Sequence, residues 1–83
     1  MNVDAVFKLI VKNLKDILPN IEVNQIKYDS ILCVLGASSV DRAELIEKTL
    51  EKTKLQSNRF EFHSANNLGE LAELFVKKMN ENK

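Results

Sequence analysis

The sequence has one cysteine, one proline, one histidine, two glycines and no tryptophan among its 83 residues. Each scarcity removes a class of protein. A lone Cys33 leaves no intrachain disulfide and no cysteine metal cage, so a reducing cytoplasm is the expected setting. The single His63 offers little material for acid–base or metal chemistry, and no metal site is expected. Pro19, Gly36 and Gly69 are the only strong punctuation and no run of strict alternation appears, so an all-β fold is not expected. Lys plus Arg number 12 and Asp plus Glu number 12. That balance leaves no basic excess to draw nucleic acid through counterion release. No apolar run reaches the roughly 18 residues of a membrane span. The N-terminal MNVDAVFKLIVKNLKD carries acids and lysines through its apolar stretch, unlike a signal peptide.

What is present is an ordinary globular mixture, 45% hydrophobic and 29% charged. The length predicts one domain spanning residues 1–83. A chain this short buries only roughly 60% of its unfolded surface. Such a domain has little room for a deep active site. It is expected to bind, carry or present something, not to catalyse, and no catalytic residue is assigned.

Hydrophobic spacing predicts helices. Val3, Phe7, Ile10, Leu14 and Ile17 recur every three or four residues and form one stripe of a helix over Val3–Leu18, which Pro19 stops. A long connection, about 20–37, holds the apolar clusters Ile21–Val23 and Ile31–Leu35. SILCVLG has the look of a buried strand, but a parallel sheet needs a second such strand and none is evident. The segment is therefore a loop whose Ile31, Leu32 and Leu35 anchor into a helical core, with Cys33 buried among them. A second helix over Ser39–Thr53 puts Ala43, Ile46 and Leu50 on one face. Glu44 and Lys48 form a favourable i,i+4 pair. A short helical turn over Arg59–His63 uses Phe60 and Phe62 as plugs. The last helix, Leu68–Met79, buries Leu68, Leu71, Phe75 and Met79, with Asn67 and Glu70 at capping-box spacing. The sum is an all-α, up-and-down four-helix bundle of three longer helices and one short one, with a long first loop.

LGASSVDRAEL, Leu35–Leu45, is the segment with chemical character. A glycine-containing turn delivers a serine to a helix start, where free N–H groups and the helix dipole favour an anion such as a phosphodiester. A serine in that place is most often only an N-cap. Either Ser38 or Ser39 can cap; only one can be an attachment point.

LGASSVD resembles the phosphopantetheine attachment motif of acyl carrier proteins, which runs Leu-Gly-Ala, Asp or Asn, Ser-Leu or Ser-Ile, Asp. Leu35, Gly36, Ala37, Ser39 and Asp41 match and Val40 is a close substitute. Ser38 stands where the motif has Asp or Asn, and the wider family is typically acidic. Ser30-Ile31 is similar to the Ser-hydrophobe pair found just upstream in that family. The resemblance implies a covalent 4'-phosphopantetheine, derived from coenzyme A, on Ser39. VDRAE and NNLGELAELF further resemble free-standing carriers of bacterial polyketide β-branching cassettes. There a malonyl group on the carrier is decarboxylated by a ketosynthase-like enzyme, and a hydroxymethylglutaryl-synthase-like enzyme adds the resulting acetyl unit to a β-keto intermediate. The implied partners are those two enzymes, a phosphopantetheinyl transferase and an acyltransferase, visited by a monomer with no nucleic acid and no membrane.

A carrier must dock beside its serine. Val40, Asp41, Arg42, Glu44, Glu47 and Glu51 form the candidate docking strip; as plain surface they are a solvated face with weak ion pairs. Arg42 interrupts the acidic run and can tune partner choice. Two other readings stand beside the β-branching donor: a generic fatty-acid or polyketide carrier, and an unmodified helical interaction module whose Ser39 is merely a cap. A Cys33 nucleophile with His63 as base has only those two lone residues behind it.

Overall fold

Asn2 opens the first helix: its Oδ1 accepts the Ala5 N–H at 2.8 Å, which satisfies one free donor of the helix start. In the computed structural model, which describes residues 2–81, helix α1 runs Val3–Ile17. The Leu18 N–H closes it on the Leu14 carbonyl at 2.8 Å. It stops one residue short of the predicted Leu18, because the residue before Pro19 is pushed out of the α region.

Helix α2 runs Ser39–Thr53 and helix α3 runs Leu68–Glu81. The first keeps its predicted bounds; the second extends two residues past Met79. Helix α1 packs against both. Contact on two sides widens the arc it buries. Val6 and Asn13 therefore join Ile10 and Leu14 in the interior, while Val3, Phe7 and Ile17 only lean on the core. Asn13 Nδ2 donates to Thr49 Oγ1 at 3.1 Å, and that hydroxyl donates to the Leu45 carbonyl at 2.8 Å. The pair is thereby bonded despite its burial. On α2, Leu45 and Thr49 are buried with Ile46 and Leu50, and Ala43 is only half-buried. Lys48 reaches Asp16 on α1 at 3.5 Å, not the predicted Glu44 one turn back.

Two 3-10 turns complete the architecture, Val23–Gln25 and Arg59–Phe62. The second replaces the predicted short fourth helix. Asn58 and Glu61 form a capping box around it, and the Glu61 N–H bonds the Asn58 carbonyl at 3.0 Å. This i→i+3 spacing winds the segment too tightly for an α turn. Phe62 points inward and stacks on Phe75 with ring centroids 4.2 Å apart. Phe60, also predicted as a plug, is 60% exposed. Among the described residues the chain is thus all-α, three helices and two 3-10 turns without a strand; the predicted short helical turn over Arg59–His63 is present as the 3-10 turn and not as a fourth α-helix.

The long first connection is tied down at α3. Gly69 donates to the Tyr28 carbonyl at 2.6 Å and Leu68 to the Ser30 carbonyl at 3.0 Å. Gly69 has no side chain where the Tyr28 ring lies, and a Cβ there would overlap it. The Tyr28 hydroxyl donates to Glu73 at 3.0 Å. Asn67 caps α3 as predicted, its Oδ1 accepting the Glu70 N–H at 2.8 Å. The return bonds differ from a simple box: the Glu70 carboxylate accepts from the Asn66 N–H at 3.3 Å and from Asn67 Nδ2 at 3.1 Å.

Candidate functional site

The approach to α2 is a single tight turn. Ala37 N–H bonds the Leu32 carbonyl at 3.0 Å and Gly36 N–H bonds the Cys33 carbonyl at 3.2 Å. These two bonds are the Schellman pattern, which needs a left-handed residue at its next-to-last position. Gly36 supplies it with φ +94°. The turn buries Leu32 and Ala37. It turns the rest of the ILCVL run outward: Ile31 is 47% exposed, Val34 78%, and Leu35 is half-buried. Cys33 is exposed, contrary to the buried position expected from its apolar neighbours.

The two serines then take separate tasks. Ser38 is extended and caps α2: its Oγ accepts the Asp41 N–H at 3.1 Å, and Asp41 Oδ2 accepts the Ser38 N–H at 2.9 Å. Ser39 is the first helical residue, exposed, with capping already performed by its neighbour. The N–H groups of Ser39 and Val40 lie in the first turn, where no earlier helical carbonyl exists to receive them. An exposed hydroxyl beside free donors and the positive end of a helix dipole can carry a phosphodiester. Val40, 72% exposed, stands next to it.

The remaining candidates split into two groups. Asp41 is held by the capping box, and Arg42 turns inward. Arg42 Nη2 donates to the Ala65 carbonyl at 2.9 Å and the Phe62 carbonyl at 3.2 Å. Glu44, Glu47 and Glu51 stay exposed along α2. With Lys48, Lys54, Leu50 and Leu55 they line an open groove of about 590 Å³ that continues to Ser57. Glu47 lies 3.7 Å from Arg59. Arg59 in turn covers the Phe60 ring at 4.9 Å from its centroid. The 3-10 turn therefore flanks the acidic face of α2, an adjacency with no signal in the local sequence pattern.

Glu61 fastens that turn to α3. The Ser57 hydroxyl, the Asn58 N–H and Lys78 hold its carboxyl down at about 2. Lys78, 3.0 Å away, is raised in return. His63 stacks on Phe60 at 5.7 Å between ring centroids. Among the described residues no group of three His, Cys, Asp or Glu side chains is placed to hold a metal ion. No helix among them is long and apolar enough to cross a membrane.

Comparison with known proteins adds to this geometry. The polyketide biosynthesis acyl-carrier-protein AcpK of Bacillus subtilis (strain 168) is 35% identical over 79 residues, 95% of this chain and 96% of that protein. A chain in the crystal structure of the curacin biosynthetic pathway HMG synthase in complex with its acetyl donor-ACP is 38% identical. It superposes with a TM-score of 0.88 over 93% of this chain and 99% of that one. No protein-family model matches.

Proposed function

The chain belongs to the acyl carrier proteins of polyketide biosynthesis, carriers without turnover of their own, and from that premise we propose that it is a donor of acetyl units for β-branching. It acts as one carrier domain, modified at Ser39. The observation that carries attachment at Ser39 is the division of labour at the helix start: Ser38 and Asp41 close the cap, and Ser39 is left exposed with its hydroxyl free; the donor role is supported by the likeness to the acetyl donor carrier. The Ser39 oxygen is the nucleophile toward the pyrophosphate of coenzyme A. A phosphodiester forms, the nucleotide half leaves, and the serine proton passes to a base of the transferase. The first-turn N–H groups and the α2 dipole favour the negative charge fixed there. When bound, 4'-phosphopantetheine supplies a thiol that holds an acetyl or malonyl group as a thioester.

Docking falls to the exposed residues around Ser39. Val40 provides an apolar contact, and Glu44, Glu47 and Glu51 provide charge for partners with basic surfaces. Asp41 and Arg42 support this strip from within. The partners are a phosphopantetheinyl transferase, an acyltransferase, a decarboxylating ketosynthase-like enzyme and a hydroxymethylglutaryl-synthase-like enzyme. The structural relative, itself in complex with an HMG synthase, supports the last of these. A reducing cytoplasm suits the exposed free thiol of Cys33.

Incubation with coenzyme A and a broad-specificity transferase, followed by intact mass, tests the attachment. The wild-type chain and Ser38→Ala gain one phosphopantetheine and Ser39→Ala gains none. A wild-type chain that stays unmodified overturns the carrier reading at Ser39. For the donor role, the acetyl-loaded protein transfers its acetyl group to a hydroxymethylglutaryl-synthase-like enzyme. Glu44→Lys with Glu47→Lys slows that transfer while the circular dichroism spectrum is unchanged.

A further inference from the structure

Helix α1 packs on both other helices, but the side of the bundle between α2 and α3 is bridged by the segment that follows the second 3-10 turn. Arg42 is the residue that fastens this bridge. It lies one turn after Ser39, its side chain enters the bundle, and one guanidinium nitrogen bonds two main-chain carbonyls, of Phe62 and Ala65. Its Nε is buried without a protein partner. Behind it is a void of only about 10 Å³, lined by Leu32, Ala65 and Leu71 as well as by Arg42 and the Asn66–Asn67 corner. Such a space admits at most a single water, whereas an apolar cavity that takes up a six-carbon ring measures about 150 Å³.

We propose that Arg42, one turn after Ser39, is a latch that keeps this cleft shut, so that the carrier holds its acyl group outside the bundle and is suited to short acyl groups over long alkyl chains. The inference rests on the carrier reading of Ser39. Leu32, Ala65 and Leu71 make the closed wall apolar, so an alkyl chain would be stabilised there if the bridge lifted. Lifting it breaks both bonds between the part-buried guanidinium and the Phe62 and Ala65 carbonyls, which opposes entry. A two-carbon acyl group has almost no apolar surface to shelter and loses nothing by staying in water. A chain of eight carbons would remain exposed.

The test converts apo-protein to its acetyl or octanoyl form: a broad transferase moves the acyl-phosphopantetheine of the corresponding acyl-coenzyme A onto the free Ser39 hydroxyl, and the nucleotide half leaves. Two quantities are read: the rate of thioester cleavage by hydroxylamine, and the amide chemical shifts of Leu32, Ala65 and Leu71. In the wild type the two thioesters react within about twofold of each other, since neither is withdrawn from water, and the three amides keep their positions. In Arg42→Ala the octanoyl thioester reacts about fivefold or more slowly than the acetyl one, as expected for a sheltered group, and the three amides shift. If Arg42→Ala does not fold, Arg42→Gln, which keeps an amide donor but no charge, is read in its place. Octanoyl protection in the wild type overturns the proposal, as does equal reactivity in a folded variant. Failure of both acyl groups to load on Ser39 overturns the carrier reading instead, so the two failures are distinct.

Discussion

The two long connections of this protein are held by different forces. The first, between α1 and α2, is fixed by apolar anchors and backbone bonds. Ile26, Leu32 and Ala37 are buried, and the Tyr28 and Ser30 carbonyls receive the first N–H groups of α3. The second, between α2 and α3, has Phe62 and Ala65 as its buried side chains and is otherwise tied by charged groups: Arg42 to two carbonyls, and Glu61 to Ser57, Asn58 and Lys78. The difference shows in what each presents. Firm anchorage of the first leaves Ile31 and Val34 exposed on the approach to Ser39, and Val40 exposed just after it. The second contributes the edge of the groove beside Glu44, Glu47 and Glu51 and is joined to α3 by the Glu61–Lys78 pair.

That contrast can be broken in a graded way. Phe62→Ala removes the main apolar anchor of the second connection and its stack on Phe75. A loss of about 3–5 kcal/mol, typical for a buried phenylalanine, is expected in urea denaturation. In a domain of this size such a loss brings the chain close to unfolding at ordinary temperature. Gly69→Ala attacks the first connection by placing a methyl group in the Tyr28 ring. The overpacking cost of about 1–3 kcal/mol outweighs the roughly 1 kcal/mol of helix propensity that alanine adds. Combining it with Tyr28→Ala costs less than the sum of the two single changes, which a double-mutant cycle measures.

Ser38→Ala removes the cap of α2 and costs about 1 kcal/mol. Phosphopantetheine loading at Ser39, read by intact mass, is expected to persist in this variant. The smallest effect is one of pH. The Glu61 carboxyl sits at about 2 in the fold, below its ordinary value of 4.5. The depressed value means the ionised form is favoured in the folded state. Its stabilisation is therefore complete above the ordinary carboxylate value and fades as pH falls toward 2. The Tm difference between wild type and Glu61→Gln is expected to shrink over that interval, and 1 M salt to reduce it at neutral pH. A difference that stays constant with acid would show that the second connection does not depend on Glu61 ionisation.

Much of the fold is legible in the sequence where local rules act alone. Helix α2 begins at Ser39 because Ser38 and Asp41 cap it, and α1 ends before Pro19. Both are decided within four residues. What escapes local reading depends on distant partners or on backbone handedness. Asn13 looks like surface, and only Thr49, 36 residues away, accounts for its burial. Cys33 and Ile31 look like core, yet the left-handed Gly36 aims them at solvent. The fourth helix fails because four residues between Asn58 and His63 close as a 3-10 turn. At the site, the attachment motif is visible as a pattern. The inward turn of Arg42 is not, since the carbonyls it meets lie 20 and 23 residues further along.

The buried amide–hydroxyl pair between α1 and α2 bears on more than stability. Aliphatic side chains accept many neighbours, so two helices joined only by them can settle in several alignments of similar energy. An interred carboxamide is less permissive: away from its one hydroxyl it is stranded without water. Sliding α2 by a turn along α1 would shift Ser39 about 5.4 Å and strand Asn13 in the same movement. Asn13 therefore acts as a ruler, setting how far along the bundle the exposed Ser39 is held out.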